Sequence, residues 1–399
     1  MSAQTNLLLP AGTRLVHIGP HKTGTTTVQN AFFLARERLA EHGVSYPGSE
    51  PQPARAALAV TGQRHLIGEG TPRIRHWEDL VADAAAAGDR RAVVSSEFFS
   101  EADNEAMRRV VADMGGSRVH ILVTLRPLAR IVPSQWQQWV QNGLRTPYEK
   151  WLSAILTKPH DHDRGTRKFW ARHDHAQLVR RWSEVVGPDN LTVIVVDESD
   201  GQALLRTLES MVGLPDGFLA AERSQTNRSL TLVETEIAQR LNHEFRNQEW
   251  PDWTYARYMR RGAVQQMKAA RPAAAGEPRI VTPQWALKRA AEIGAEAVDT
   301  ISGLGVRVIG DLPSLGARPA DSATITTEDS RQFAVEAAVH AVAGAVLASG
   351  DTNPHAQLVD DKRVRHVPSR ALLMVVARRF ARRCYHAIGA PRWLNKLRP

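Results

Sequence analysis

Hydrophobic and polar residues form two kinds of block along the first 200 positions of the chain. Short apolar runs rich in β-branched residues are separated by longer amphipathic stretches, a pattern typical of βαβ units and a parallel sheet. We therefore expect a three-layer α/β/α domain with a central parallel sheet over residues 1–315, followed by helical additions. The pattern predicts strands over residues 14–19, 91–96, 118–125, 191–196 and 306–309, and helices over residues 25–41, 133–142, 169–186, 202–212, 230–247, 283–302 and 331–348.

Two regions lack this regular pattern. Residues 143–165 are rich in His, Asp and Lys and are predicted to form a long irregular loop. The run His160-Asp161-His162-Asp163 within it has residue types that bind metals. It lacks the helical spacing of paired zinc ligands, so we expect a solvated loop and no metal site. Residues 316–354 are predicted to be a linker and an Ala-rich helix packed on the core.

The composition is that of a soluble globular protein, with 43% hydrophobic and 23% charged residues. The single cysteine, Cys384, excludes a disulfide framework within the chain and a cysteine-rich zinc site. No apolar run approaches the roughly 18–20 residues needed to span a bilayer, and the first residues lack the pattern of a secretory signal. We therefore expect a cytoplasmic protein. The excess of Arg over Lys suggests a bacterial source.

The positive charge is concentrated at the C-terminal end. The 51 Lys and Arg exceed the 42 Asp and Glu by nine, and residues 355–399 alone contain eleven basic and two acidic residues. The rest of the chain is therefore charge-balanced, which argues against a nucleic-acid partner. Between residues 378 and 383, four arginines fall on one side of a helical projection, with apolar residues opposite. This basic amphipathic pattern favours an anionic membrane surface as a partner, and packing on the body is the alternative.

The strongest chemical signal connects the first predicted strand to the first predicted helix, and it reads Gly19-Pro20-His21-Lys22-Thr23-Gly24-Thr25-Thr26-Thr27. Such a turn presents successive backbone N–H groups to an anion, and the helix N-terminus adds a partial positive charge. Lys22 adds a full positive charge. Residues 25–27 supply hydroxyls that are also expected to cap the first helical turn. The segment is therefore a candidate phosphate-binding loop.

The spacing of this loop differs from that of nucleoside triphosphatases. Their lysine follows the second glycine, whereas Lys22 precedes Gly24. They also hold Mg²⁺ with a carboxylate at a strand end, whereas the strand over residues 118–125 runs into Arg126. A cation there suits a ligand that carries further phosphate groups and needs no metal. An ATP-dependent small-molecule kinase and a non-catalytic adaptor with a degenerate nucleotide fold remain the alternatives.

These residues resemble two signatures of the P-loop sulfotransferases that use 3′-phosphoadenosine 5′-phosphosulfate (PAPS). The segment from Pro20 to Thr26 is similar to the loop that binds the 5′-phosphosulfate in that family. Arg126 is followed eight residues later by Ser134, which is the family's spacing for the pair that holds the 3′-phosphate. Because Pro133 suits the first position of a helix, we expect Ser134 in the first turn, where free N–H groups attract an anion.

The resemblance covers roughly residues 12–215, with a looser match to residue 310. His21 between Pro20 and Lys22, and Pro127 after Arg126, point to the bacterial and carbohydrate-type branches of the family. The resemblance implies transfer of a sulfuryl group from PAPS to a hydroxyl, or an amine, of a carbohydrate, glycolipid or other small-molecule acceptor. It implies that Lys22 stabilises the charge that develops on the leaving oxygen, and that Thr25 and Thr26 hold the 5′-phosphate.

A general base is also expected, because the acceptor must lose a proton. Glu97 directly follows a predicted strand and therefore lies at the carboxyl end of the sheet, where open α/β folds bind ligands. His173 is the second candidate, because a neutral imidazole is matched to neutral pH. His21, beside the loop, is a weaker third. Some relatives use a Glu in this region and others a His, and we favour Glu97.

Other residues have both a structural and a functional interpretation. Trp136 and Trp139 are spaced like core residues of a helix, although stacked indoles also suit sugar or aromatic acceptors. Arg223 and Arg228 are expected to be surface arginines, with contact to the 3′-phosphate as the alternative.

Overall fold

The computed structural model describes residues 7–63, 71–157, 164–220, 228–273, 277–318 and 330–350. Contacts between Cα atoms divide the chain into two units, Met1–Ala345 and Val346–Pro399. The first unit holds the sheet and the candidate site. Of the second, only the last residues of one helix fall among those described. The predicted basic tail, residues 355–399, lies outside the described residues.

Six strands form one parallel sheet in the order β2-β3-β1-β4-β5-β6. β1 is one of the two central strands, and its Leu15 is in register with Val93 of β3 on one side and His120 of β4 on the other. The predicted three-layer α/β/α fold is thereby confirmed. The strands are β1 (Arg14–His17), β2 (Val44–Ser45), β3 (Arg91–Ser95), β4 (Val119–Leu125), β5 (Leu191–Val195) and β6 (Arg307–Ile309).

Helices cover both faces of the sheet. They are α1 (Thr25–Leu39), α2 (Ala54–Val60), α3 (Ile74–Ala85), α4 (Asn104–Met114), α5 (Leu128–Gln141), α6 (Tyr148–Thr157), α7 (Arg164–His173), α8 (His175–Val186), α9 (Ala203–Val212), α10 (Leu232–Asn247), α11 (Asp252–Thr254), a π-helical segment (Tyr255–Val264), α12 (Gln265–Ala270), α13 (Gln284–Ser302) and α14 (Ser330–Gly350).

Successive side chains of a strand point to opposite faces of the sheet. Alternate residues of each strand therefore belong to two separate hydrophobic cores, one on each face. On one face, Leu15 packs with Phe32 of α1 and Leu208 of α9. On the other, Val16 packs with Trp77 of α3 and Trp182 of α8. Helix α1 forms here because its apolar residues recur every three or four positions, which gives it one buried stripe.

Three predicted boundaries are wrong. Helix α5 begins at Leu128 instead of residue 133, so Pro133 lies inside the helix. An interior proline costs about 3 kcal/mol or more, and the buried side chains before and after Pro133 offset that cost by packing. The segment 143–165 contains α6, whose apolar face is buried. The stretch 169–186 is divided at Asp174, whose side chain accepts a hydrogen bond from Gln177 N and so starts α8.

The segment from α11 through the π-helical segment to α12 was not predicted. The bounds of α1, α9, α10, α13 and α14 match the predicted helices to within a few residues. No helix among the described residues is long and apolar enough to cross a membrane. Residues 160–163 lie outside the described residues, and within the described ranges no cluster of three or more His, Cys, Asp or Glu could hold a metal ion.

Candidate active site

The loop between β1 and α1 turns sharply at the carboxyl end of the sheet. Lys22 has a φ angle of 72° and Gly24 has one of 92°. A left-handed conformation costs energy in a residue that has a Cβ, so at Lys22 the surrounding structure must hold it. Left-handed residues in a turn direct backbone N–H groups towards one concave side. The turn is therefore a candidate anion cradle.

Gly19, at the start of the loop, leaves no room for a side chain. A Cβ there would overlap Thr124 Oγ1 and lie 2.6 Å from His17 Nε2. Next to it, the Thr23 hydroxyl donates to the Pro20 carbonyl at 2.7 Å and lies 2.8 Å from Thr124 Oγ1. Thr23 is fully buried. Its hydroxyl therefore fastens the loop to β4, which leaves only its backbone for a ligand.

A buried histidine ties the three central strands together under the loop. His17 Nδ1 lies 2.8 Å from Ser95 Oγ of β3, and its Nε2 lies 3.0 Å from Thr124 Oγ1 of β4. Burial lowers the pKa of His17 to about 3. The ring is therefore neutral at physiological pH, and it acts as a hydrogen-bonding support for the loop.

The N-terminus of α1 faces the loop without a side-chain cap. Gly24 is the N-cap residue, and its carbonyl accepts from Thr27 N at 3.0 Å and from Val28 N at 3.2 Å. The expectation that the hydroxyls of residues 25–27 cap this turn is wrong, because the capping position is a glycine. The N–H groups of Thr25 and Thr26 belong to the four that a helix start leaves without an intrahelical partner.

Lys22 is held by an amide of the neighbouring helix. Its Nζ donates to Gln138 Oε1 of α5 at 2.8 Å. The pKa of Lys22 is lowered to about 8, mainly by burial and also by the positive charges of Lys268, Arg126 and Arg172, while Glu97 opposes the shift. Positive charge thus converges at Lys22. The contribution of Lys268, from α12, could not be foreseen because no motif marks that lysine.

Arg126 lies beside the same loop. Its Nη1 donates to the Lys22 carbonyl at 3.4 Å. Its Nε forms an ion pair with Glu198, which follows β5, and Arg130 Nε lies 3.7 Å from the other oxygen of that carboxylate. The ends of the adjacent strands β1, β4 and β5 therefore bring together the loop, Arg126 and Glu198.

Ser134 does not lie in the first turn of α5. It is the seventh residue of that helix, and its hydroxyl donates to the Ile131 carbonyl at 2.9 Å. However, residues four apart share one face of a helix. Arg130 contacts Glu198, and Gln138 contacts Lys22. Ser134 therefore lies in the row between Arg130 and Gln138, on the side of α5 that faces the loop.

Glu97 begins a 3₁₀ turn (Glu97–Glu101) directly after β3. Its Oε2 accepts from Gln52 Nε2 at 2.7 Å and from Gln29 Nε2 at 3.1 Å. Its Oε1 lies 3.9 Å from His21 Nδ1. The structure thus places Glu97 against the loop at the expected edge of the sheet, with one oxygen held by two amides.

His21 belongs to a buried chain of polar and charged groups that sequence reasoning missed; burial lowers the pKa of His21 itself. Its Nε2 lies 3.5 Å from Glu101 Oε1, which also accepts from Arg172 Nε at 2.6 Å. Burial raises the pKa of Glu101, but the hydrogen bond from His21 and the charge of Arg172 outweigh it and lower that pKa to about 2. The carboxylate therefore stays ionised and orients His21 and Arg172, which lie on separate elements.

His173, at the end of α7, is only 1% exposed. Its Nε2 lies 3.0 Å from Gln135 Oε1 of α5. Burial lowers its pKa well below the usual value, and the nearby charges of His175, His21, Arg172 and Lys22 act in the same direction. The imidazole is therefore neutral and close to the loop.

The remaining candidates have structural roles or lie outside the described residues. Trp136 is buried in a core with α6 and α13, which confirms its interpretation as a core residue; Trp139 packs against the same core. Arg228 donates to both oxygens of Glu234, at 2.7 and 2.8 Å, and also binds the Met267 carbonyl. It is partly buried and joins α10 to α12, so the surface interpretation is wrong. Arg223 lies outside the described residues.

No protein-family model and no curated protein matches the chain. A solved structure of a sulfotransferase from Alicyclobacillus acidocaldarius is similar to it, with a TM-score of 0.39 and 15% sequence identity, over 56% of this chain and 89% of that one.

Proposed function

We propose that this chain transfers a sulfuryl group from PAPS to a hydroxyl group, or an amine, of a carbohydrate, glycolipid or other small-molecule acceptor. One observation carries the proposal. The loop with Lys22 and the guanidinium of Arg126 are in contact, through the bond from Arg126 Nη1 to the Lys22 carbonyl at 3.4 Å. Two separate phosphate-binding groups at one strand edge suit a nucleotide with phosphates at both its 3′ and 5′ positions.

The residues at the site fit such a nucleotide. The left-handed Lys22 and Gly24 shape a cradle, and the uncapped start of α1 offers N–H groups to a 5′-phosphate. The lowered pKa of Lys22 reflects crowded positive charge as well as burial, and a bound anion would relieve that crowding. Arg126 would hold a 3′-phosphate after Glu198 releases the guanidinium. Ser134, which lies between Arg130 and Gln138 on the side of α5 that faces the loop, would be its second partner.

Bound PAPS would supply a sulfuryl group joined to phosphate, so that a bond to a good leaving group breaks as the bond from the acceptor oxygen to sulfur forms. The ammonium of Lys22 would hold the negative charge left on the phosphate oxygen, and its hydrogen bond to Gln138 Oε1 at 2.8 Å fixes its position. Glu97 would take the proton of the acceptor hydroxyl on Oε1, since Oε2 is already held by Gln29 and Gln52.

Calorimetric titration of the full chain with adenosine 3′,5′-bisphosphate tests the proposal. We expect binding without added metal, and we expect Lys22→Ala to abolish both this binding and the transfer of labelled sulfate from sulfur-labelled PAPS to bacterial lipid and sugar extracts. Lys150→Ala is the matched control, because Lys150 is an exposed lysine on α6. A chain that binds Mg²⁺-ATP and ignores the bisphosphate would instead be a kinase.

A further inference from the structure

Helix α14 packs on the π-helical segment through a side made of small residues. Ala337 and Ala341 of this side are buried in a core that they share with that segment. Gly344 lies on the same side, where a Cβ would come within 2.4 Å of the Gly262 carbonyl oxygen. The two helices therefore approach closely, and this side of α14 is already occupied.

The opposite side of α14 is an exposed apolar stripe. Val335, Val339 and Val342 are each 60–65% exposed, and Val346 continues the row at 62%. At about 100° per residue, these four residues, the valine stripe, lie within about 60° of one another around the helix. Exposed apolar residues are usually scattered on a monomer, whereas a contiguous row marks a surface that binds a partner.

The spacing of the valine stripe suits a second helix as that partner. Its members are four, three and four residues apart, which is the alternation of core positions in paired helices. Valine, which is branched at Cβ, is favoured in two-stranded pairs. Ala338, Ala343 and Ala345 flank the stripe. Their short side chains let another helix lie close to it.

The charges beside the stripe disfavour a lipid surface. Helices that lie on membranes carry Lys or Arg on the polar face next to their apolar face. Residues 332–350 contain no Lys or Arg, and Glu336 is their one carboxylate. Glu336 lies 3.6 Å from Arg271 Nε, which holds it against the body. An uncharged stripe offers no attraction to anionic headgroups and no repulsion to a second copy of itself.

The size of the stripe is that of a weak dimer interface. With its flanking alanines it exposes about 500 Å² of apolar surface, so a pair of copies would bury about 1,000 Å², the lower limit for a specific interface. A two-fold axis brings the same surface of both copies together, so one self-complementary stripe is sufficient. The dissociation constant expected for such an interface is micromolar.

We propose that α14 is a self-association surface, through which two copies of this chain pair their valine stripes in antiparallel orientation. In this arrangement Val339 lies opposite Val342 of the partner subunit. The two copies of Glu336 lie at opposite ends of the interface, where they do not repel each other. The inference does not rest on the proposed function, because no residue of the candidate active site takes part.

Sedimentation velocity of the full chain from about 1 to 200 μM tests the pairing. Val339→Asp and Val342→Lys each place a charge in the stripe at an exposed position, so neither removes a buried contact of the monomer. Leu34→Asp is the matched control, because Leu34 is an exposed apolar residue of α1. An equimolar mixture of the two stripe variants is also measured. Flotation with phosphatidylglycerol vesicles tests a lipid surface instead.

We expect a monomer–dimer equilibrium with a micromolar dissociation constant. Each stripe variant should raise that constant about tenfold or more, which is 1.4 kcal/mol, and Leu34→Asp should leave it unchanged. The mixture should associate more tightly than either stripe variant alone, because the opposite charges then face each other. The proposal is overturned if the full chain stays monomeric, if the stripe variants dimerise like the control, if mixing restores nothing, or if the chain floats with vesicles and Val339→Asp abolishes flotation.

Discussion

Arg126 is ion-paired with Glu198 at the carboxyl ends of β4 and β5. The same guanidinium is the group proposed to hold a 3′-phosphate, so the carboxylate and the phosphate compete for it. Glu198 is about one-third exposed, with its side chain at 36%. Partly exposed ion pairs contribute about 0.2–1 kcal/mol, so the competition is weak enough for a nucleotide to win.

Glu198→Gln should therefore tighten binding of adenosine 3′,5′-bisphosphate by about two- to fivefold, as measured by calorimetry. Asp200→Asn is the matched control, because Asp200 lies in the same loop and pairs instead with Arg206. Weaker binding by Glu198→Gln would mean that the carboxylate positions Arg126 for the phosphate and does not compete with it.

Nucleotide affinity should depend on pH through Lys22. The pKa of Lys22 is about 8 without ligand, and a bound phosphate raises it. Below pH 8 Lys22 is an ammonium both in the free protein and in the nucleotide complex, so the affinity for the nucleotide does not change with pH. Above pH 8 binding requires proton uptake, so affinity falls by up to about tenfold per pH unit. Calorimetry at pH 8.5, in buffers of different ionisation enthalpy, should detect the uptake, and a flat profile from pH 7 to 9.5 would contradict this role.

The same lowered pKa predicts that Lys22 destabilises the fold. Its folded pKa of about 8 lies below the usual 10.5, so the charged form is penalised in the native state, and this penalty is fully present below pH 8. Lys22→Met should raise the free energy of unfolding at pH 7 by about 1–3 kcal/mol, and the gain should shrink between pH 8 and 10.5. Urea unfolding at pH 7 and at pH 10.5 measures this gain, with Lys150→Met as the control. A lower free energy of unfolding for Lys22→Met at pH 7 would refute the prediction.

Glu97→Gln tests the proposed base. We expect kcat for sulfuryl transfer to fall by about 10²–10⁴-fold, because the amide cannot take the proton, while affinity for adenosine 3′,5′-bisphosphate changes little. Glu105→Gln, at an exposed carboxylate of α4, should keep full activity. If His173→Gln abolishes the pH dependence of kcat and Glu97→Gln does not, His173 is the base.

Buried neutral histidines should make the fold sensitive to acid. The pKa of His17 is lowered to about 3, and those of His120 and His175 to about 4, mainly by burial. Between these values and 6.5 the unfolded chain binds more protons, so stability falls as pH falls below 6.5. Each group should contribute about 1.4 kcal/mol per pH unit.

Urea unfolding at pH 7.5 and 5.5 measures this loss. His120→Gln should reduce it by about 1.4 kcal/mol, because His120 lies away from the loop, bonded to Thr192 across β4 and β5. His243→Gln, at an exposed histidine, should not change it. Equal losses in the two variants would show that the buried rings do not govern acid unfolding.

Much of the fold could be predicted because apolar periodicity reports burial directly. The strands β3, β4 and β5 and helices α1, α9 and α13 lie within a few residues of their expected bounds. The start of α5 could not be predicted from the sequence, because Pro133 disfavours a helix interior. The packing of the buried side chains of Leu128, Ile131 and Val132 overrides that local preference. The break at Asp174 was not predicted, because the apolar residues of α7 and α8 follow one continuous helical spacing along the sequence.

Local sequence was sufficient to place the segment from Gly19 to Thr27 at a strand-to-helix turn and to make it a candidate phosphate-binding loop, because glycines, a lysine and a helix start are consecutive along the chain. It also placed Arg126 and Glu97 at strand ends, and parallel strands bring such ends to one edge of the sheet. The partners of these residues are different. Gln138 contacts Lys22, Glu101 contacts His21 and Glu198 contacts Arg126, and the charge of Lys268 lowers the pKa of Lys22. These partners come from other elements, so their distances and electrostatic effects depend on tertiary packing, which no spacing along the chain encodes.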